Sequence, residues 1–465
     1  MSSIKMENPA LARSMLQWKL WVQALDQRPS SLESSGDTPP VFLGRNAWSA
    51  DSLPLFTADN IPEPASSAVV ESEGAIDDSL TLGNDRVAHT DSWNPFVWIR
   101  EDAMTFRPSR SKNHGCPNPV RCTCKYLVAV GAVYVDTILS VPHYPAEDEK
   151  LRATEIIRRR GGNCPNTLEV VAQLTIVSNQ GRNRAPGFAN WKEGGGTELA
   201  LIAVLPNKWS PIRENIFESM IDVDIDFAIF RNKFHEAANS FIIKSTESGS
   251  RTIVNYNQLP EMTFEEFKEC FESLSRKYVY DYGYDHQSGW YHFEGRIPDV
   301  TLKCIEFLRK TYPRIQVSVE LEKPRRTGLQ ELAKKADVVF YSMSWAKSQG
   351  YLSAEECLRE QVAILPKASY LFCTWGEEGA AALDVRNDEC LIFPSFRPFG
   401  TIAIDTIGAG DTFIAGILYS FLKFDDEWDL ARKLSFAIEL AGRKVVREGF
   451  TQLGTDMKHW IFSDS

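Results

Sequence analysis

The chain has 465 residues, 43% hydrophobic, 24% charged and 11% aromatic, enough to bury a large core without staples. A formal net charge of −11 argues against a whole-protein binder of nucleic acid and leaves a local anion pocket open. No stretch reaches the ~20 apolar residues of a membrane-spanning helix, and nine scattered cysteines fit a reducing, cytoplasmic setting better than a disulfide framework.

The N-terminus lacks the charged, apolar and small-residue succession of a secretory signal. Residues 11–25 carry apolar side chains at helical spacing, with Glu7 and Asp26 flanking them, and read as a short amphipathic helix rather than a targeting segment. From 29 to 91 Ser, Pro, Asp and Gly dominate and no period persists, so disorder is expected. The aromatic cluster WNPFVW (93–98) is too short to assign. Cys116, Cys122, Cys124 and His114 lack the paired spacing of zinc ligands, and no metal site is assigned. Residues 1–125 are thus expected to be a largely disordered, unassigned extension.

Order begins at Tyr126. YLVAVGAVYVD is apolar and β-branched and predicts a buried strand over 126–136, ending at Asp136. Residues 227–230, 316–320, 338–341 and 368–375 predict further strands; 165–174, 299–311, 353–363 and 412–422 predict helices. The alternation predicts an α/β fold with a mostly parallel sheet covered on both faces. Such sheets bind ligands at the carboxyl ends of their strands.

In RRRGGNCPNTLEVVAQL, Gly161 and Gly162 break the chain, Asn163 is suited to cap, and Pro165 suits a first helical turn. The plain reading is a well-capped helix. The chemical reading is hydroxyl recognition: Asp136, Gly162, Asn163 and Asn166 supply one carboxylate and two amides around a sugar ring without strong net charge.

The segment TIAIDTIGAGDTFIAGILYSFL (401–422) predicts a short strand to Ile404 or Asp405, a Gly408-Ala409-Gly410 turn, and a helix opening at Asp411 or Thr412. Glycines before a helix let backbone N–H groups converge, and the helix N-terminus adds about half a positive charge. That makes a pocket for a transferring phosphoryl group. Asp411 is expected to cap the helix and face the pocket, where its carboxylate can take a proton from an attacking hydroxyl. A bare GxGD reads as a tight turn with an N-cap; the longer DTIGAGDTF in its strand–loop–helix context carries the chemistry.

That string resembles the signature of the ribokinase-like sugar kinases, the PfkB family, in which the Asp after GAG is the catalytic base. Five further strings are similar to the ketohexokinase (animal-type fructokinase) branch: RTIVNYNQLP (251–260), YHFEGR (291–296), VSVELEKPR (317–325), DVVFYSMSWAKSQGYLSAEECL (337–358) and TWGEEGAAAL (374–383). The resemblance implies a three-layer α/β/α sandwich with a small β-sheet lid. It puts the kinase domain at 126–465 and the lid strands at about 133–155 and 237–255. It also implies an ATP-dependent kinase acting on the 1-hydroxyl of a ketohexose such as fructose. Asp136, Gly162, Asn163 and Asn166 would hold the sugar, Asp411 would be the base, and Gly408, Ala409 and Gly410 would form the anion hole. Arg251 would contact the ATP phosphates, Gly376, Glu377, Glu378 and Gly379 would lie near the nucleotide, and Glu294 and Arg296 would support the pocket. A solvated strand-edge charge is the plainer reading of Arg251, an exposed turn that of Glu377 and Glu378.

The implied cofactors are ATP and Mg²⁺, with K⁺ a further candidate. SMSW (342–345) stands where many relatives carry an N-x-x-E string near the metal, so no metal ligand is assigned. The branch forms homodimers by clasping two lid sheets, and the period of 2 in NSFIIKS and RTIVNYN fits strands there. Two stretches depart from the pattern: 177–197 reads as an inserted loop and 278–290 as an aromatic loop, either harmless or obstructing the lid. Two alternatives stay open: a ribokinase-like kinase for another sugar or a nucleoside, and a catalytically impaired sugar-binding relative.

Overall fold

The computed structural model describes residues 124–180 and 197–463. Along YLVAV the side chains alternate. Leu127 and Ala129 enter one apolar core, while Tyr126, Val128 and Val130 enter the other, so this strand is buried on both faces.

The chain runs β1 (Tyr126–Val130), β2 (Tyr134–Val141), β3 (Glu155–Gly161) and α1 (Asn163–Gln180). Then come β4 (Glu198–Ile202), β5 (Val204–Pro206), α2 (Ile212–Glu218), β6 (Ile229–Arg231), β7 (Ala238–Ser245), β8 (Arg251–Tyr256) and α3 (Phe264–Tyr282). β9 (Gly289–Glu294), α4 (Pro298–Thr311), β10 (Gln316–Leu321), α5 (Leu329–Ala333), β11 (Val338–Ser342), α6 (Met343–Ser348) and α7 (Ala354–Val362) follow. The chain continues with β12 (Tyr370–Thr374), β13 (Ala380–Asp384), β14 (Glu389–Phe393), α8 (Ala409–Phe424) and α9 (Leu430–Val445).

Eight strands form the main sheet in the order β14-β13-β12-β11-β10-β9-β1-β4. Its strands from β4 to β12 are parallel, and β13 and β14 turn antiparallel at one edge. One core packs α1, α8 and α9 against the sheet, the other α3, α4, α5 and α7. Residues 411–422 of α8 are all buried, which is why that helix is apolar all round. A second, four-stranded sheet runs β3-β2-β7-β8. Among the described residues no helix is long and apolar enough to cross a membrane.

Several sequence expectations need correcting. The run 126–136 is two strands in two sheets, because the chain leaves the main sheet at Gly131 and pairs again from Tyr134. A Cβ at Gly131 would lie 2.6 Å from Cys164 Sγ, so the crossing is tight. Asp136 therefore sits within β2 of the small sheet. The strand expected at 227–230 forms at Ile229–Arg231 and pairs with β5 rather than joining the main sheet. No strand precedes the GAG turn; the amides of Ile404 and Asp405 both donate to the Val445 carbonyl, at 2.9 and 3.1 Å. α8 opens at Ala409, ahead of Asp411. Residues 278–282 of the expected aromatic loop are helix and its last two begin β9: α3 runs through Tyr282 and ends on Gly283 with φ 68°. Tyr278 is buried against Tyr126, ring centroids 4.8 Å apart, at the amino end of β1 and so away from the strand carboxyl ends. Of the expected insert, α1 continues to Gln180, and 181–196 lie outside the described residues. So do the readings at 11–25, 29–91 and 93–98, His114, Cys116 and Cys122.

Candidate active site

A cavity of about 390 Å³ opens where β9, β10, β11 and β12 end, beneath the small sheet. Glu294, Glu320, Ser342 and Thr374 reach it from those four strand ends, and Tyr134, Asp136, Ser240 and Ile242 line it from the small sheet. A second cavity of about 330 Å³ is walled by Phe396, Ile438, Ala441 and Val445. The two share Arg251, Thr374, Thr406, Gly410 and Phe413. A polar and an apolar chamber thus meet at the start of α8.

That start is built from glycine. Gly408 takes the N-cap with φ 82°, and a Cβ there would lie 2.4 Å from the Phe450 ring. Nothing stands within 4 Å of a Cβ placed on Gly410, which leaves the backbone open to the seam between the cavities. The first-turn amides of Ala409, Gly410 and Asp411 have no intrahelical acceptor; Ala409 makes a 3.3 Å bond back to the Thr406 carbonyl. The arrangement is a cradle for an anion.

Asp411 does not cap the helix. It is the third helical residue, buried, and its Oδ2 accepts from Asn166 Nδ2 at 2.7 Å. Burial pushes its carboxyl up to about 7; the Asn166 bond and Lys323 pull down, and Glu322 and Glu294 push further up. A carboxylate near that value is matched to proton abstraction at neutral pH.

Asn163 does not cap either. It is the first residue of α1, and its amide donates to the carboxylates of Glu320 and Glu322, each at 3.0 Å. Gly162 precedes the helix with φ 106°, its carbonyl accepts the Asn166 N–H at 3.0 Å, and a Cβ would lie 2.2 Å from the Ala132 carbonyl oxygen. Asp136 is buried over Gly161, where a Cβ would lie 2.3 Å from its Oδ1. Burial raises the Asp136 carboxyl, against the pull of Arg159 and Ser240.

Arg251 reaches from β8 to the Thr406 hydroxyl, at the seam of both cavities. Gly376, Glu377, Gly379 and Ala409 line the apolar chamber; Glu378 is exposed and lines neither. Glu294 accepts the Ala132 N–H at 3.0 Å, and Arg296 donates to Tyr134 Oη at 2.6 Å and to Glu261. Burial raises the Glu294 carboxyl, and Glu320 is raised well above the carboxylate range by burial and by Glu322 and Asp411.

Sequence reading passed over Glu320, Glu322 and Lys323, which line the polar cavity at the end of β10. The rule that chemistry follows a strand's carboxyl end, applied to VSVELEKPR, would have found them. It also passed over Arg159, Arg160 and Lys444, which nothing local marks. Among the described residues no group of three or more His, Cys, Asp or Glu side chains is placed to hold a metal ion.

The model of the pfkB family carbohydrate kinases matches residues 211–455. Mouse ketohexokinase is 30% identical over 333 residues, which cover 70% of this chain and 98% of that protein. The ribokinase of Giardia lamblia superposes with a TM-score of 0.55 at 14% identity, covering 72% of this chain and 98% of its own. The Arabidopsis thaliana ribokinase, solved with ribose and ATP, superposes at 0.53 with 16% identity, covering 73% of this chain and 100% of its own. The likeness to these structures gives the fold as ribokinase-like.

Proposed function

The chain belongs to the pfkB family of carbohydrate kinases, and we propose that its acceptor is the 1-hydroxyl of a ketohexose such as fructose, with Asp411 as the base. That it is an ATP-dependent sugar kinase follows from the family; the acceptor and the residue roles are our reading. One observation carries it: a buried carboxylate poised near neutrality faces a polar cavity at the point where that cavity joins an apolar one through an open glycine backbone.

In this reading Asp136, Gly162, Asn163 and Asn166 surround the sugar, supported by Glu294 and Arg296. Asn166 occupies one oxygen of Asp411 and leaves the other for the hydroxyl. As the sugar oxygen attacks the γ-phosphorus, Asp411 takes its proton and the bond from phosphorus to the ADP oxygen breaks. Charge gathering on the transferring oxygens falls on the amides of Gly408, Ala409 and Gly410 and on the positive end of α8. Arg251 meets the nucleotide phosphates at the seam, and the apolar chamber takes the base, with Gly376, Glu377 and Gly379 at its rim. Mg²⁺ would enter with the nucleotide and supply neutralisation of phosphate charge; among the described residues no group of three or more His, Cys, Asp or Glu side chains is placed to hold it. K⁺ stays a candidate activator, tested by its omission. We assign the kinase domain to 126–465, with β2, β3, β7 and β8 as the lid that keeps water from the phosphoryl group.

A second copy of the chain is the proposed partner of that lid. Its outer face exposes Ile156, Phe241, Val254 and Tyr256, with Phe241 paired to Val254 across β7 and β8. Exposed apolar sheet of this kind marks an interface.

The test is phosphorylation of fructose with MgATP by the wild type and by Asp411→Ala. A loss in kcat of about 10²–10⁴-fold is expected for a missing general base. A fully active variant would refute the base, and equal turnover of ribose or adenosine would count against the ketohexose.

A further inference from the structure

Asn166 stands between two buried side chains of opposite demand. Its Oδ1 accepts from Arg160 Nη1 at 2.6 Å, and its Nδ2 donates to Asp411 Oδ2 at 2.7 Å. The two ends of an amide have nearly the same shape, so its sense is decided by what the neighbours donate or accept. A guanidinium carries N–H donors only. The side of Asn166 that meets Arg160 must therefore be its oxygen, and the side that meets Asp411 must be its nitrogen.

Arg160 is in turn anchored. It projects from β3, is buried, and donates to Glu169 of α1 and, through Nε at 3.1 Å, to Ser219 Oγ just beyond α2. Ser219 donates onward to the Ile216 carbonyl at 2.8 Å. Neither Arg160 nor Glu169 lines the polar cavity.

We propose that Arg160 is a positioning residue for phosphoryl transfer, holding the Asn166 amide so that its NH₂ and not its carbonyl faces Asp411. The inference rests on the reading of Asp411 as the base. With the amide so held, the bond favours the carboxylate, the form able to take a proton. With the amide reversed, two acceptors face each other and only a protonated Asp411 can bond. The balance around Asp411 makes that choice decisive. Glu294 from β9 and Glu320 and Glu322 at the end of β10 oppose its charge, while the Cys164 thiol of α1, held neutral by burial, adds none. Lys323 beyond β10, Arg160 from β3 and Lys444 from α9 favour it.

The test is kcat against pH for the full chain with saturating fructose and MgATP, together with the ¹³C titration of the Asp411 carboxyl, assigned by its loss in Asp411→Asn. Two variants are compared with wild type: Arg160→Gln, and the double variant Arg160→Met/Glu169→Met, which removes both buried charges and leaves neither unpaired. In both, the acid limb and the carboxyl titration should move up by about one pH unit, a ~10-fold loss at pH 6 that shrinks by pH 8.5. Glu169→Gln keeps the guanidinium on the amide and should leave the limb in place. A folded double variant whose limb and carboxyl titration match the wild type overturns the proposal, whatever its kcat. So does a kcat lowered equally at every pH, the mark of a merely structural role. A wild type that leaves fructose untouched defeats the acceptor assignment, and the carboxyl titration then still decides on Arg160.

Discussion

Asp411 and Asp405 stand six residues apart and are pushed in opposite directions. Burial drives the Asp411 carboxyl up to about 7; at Asp405 burial also pushes up, but the Arg159 and Lys444 cations overcome it and hold the carboxyl at about 2. The first value suits the proton transfer proposed for Asp411, the second a permanent charge. For the wild type, kcat should therefore fall below about pH 7 as Asp411 takes up its proton, which a pH–rate profile reads directly. Stability carries the same information with a definite sign. A carboxyl raised from 3.8 to about 7 on folding favours the folded state at acid pH, and that contribution is lost as pH rises from about 4 through 7. Asp411→Asn removes a buried charge and should fold more tightly than wild type at pH 8 by ~1–2 kcal/mol, while activity is abolished. The gain should vanish at pH 4. Urea unfolding at both pH values measures it, and a variant less stable than wild type at pH 8 would contradict the assignment of a strained carboxylate.

The stretch leading into α8 is held by side chains from outside it, and its geometry follows from them. Asp405 accepts from Arg159 at 2.7 Å, from the fully buried Lys444 at 2.8 Å and from the Ile407 N–H at 2.9 Å; Lys244 of β7 donates to the Ile404 carbonyl at 3.0 Å. Asp405→Asn leaves two cations facing a neutral amide, one of them wholly out of water, and should cost ~3–5 kcal/mol. The wild type should lose this stability as pH falls from about 4 through 2, and the variant should lack that acid-side loss; denaturant titrations across that window decide it. These contacts also explain what sequence could disclose. The Gly408–Gly410 turn ahead of a helix was legible because a helix start is local chemistry, though the helix opens at Ala409 and Asp411 does not cap it. The main-sheet strands from β10 to β12 were legible because a doubly buried strand is an apolar run; β9 was not, its first two residues being read into the aromatic loop 278–290. TIAI read as a strand for the same reason, yet Val445 takes the amides of Ile404 and Asp405, an acceptor brought by a distant helix. The Asn166–Asp411 bond spans 245 residues, so neither its existence nor the sense imposed by Arg160 is written in either neighbourhood. The crossing at Gly131 was masked because the apolar pattern continues into β2, whose Val135 and Ile138 are also buried.

At the scale of the molecule the two sheets differ in how they are covered. The main sheet has a core on each face. The small sheet turns Ile138 and Ile242 inward, while Ile156, Phe241, Val254 and Tyr256 remain exposed on the other side and every residue of edge strand β8 is exposed. A four-stranded sheet with exposed apolar side chains on its outer face and an open edge invites a second sheet. The proposed dimer meets that demand and steadies the lid, since a sheet held from outside has less freedom to lift from the sugar. Replacing Phe241 and Val254 together by glutamate puts like charges across a two-fold contact, where each copy meets its own repulsion. The wild type should sediment as a dimer at micromolar concentration and the double variant as a monomer. Neither side chain lines the polar cavity, so the proposed catalytic groups stay in place. The monomer should keep kcat within a few-fold and show a sugar KM raised by about 5–10-fold, because closure and not chemistry is impaired. A wild type that sediments as a monomer, or a double variant that stays dimeric, would move the interface elsewhere. An unchanged KM in a true monomer would separate lid closure from association.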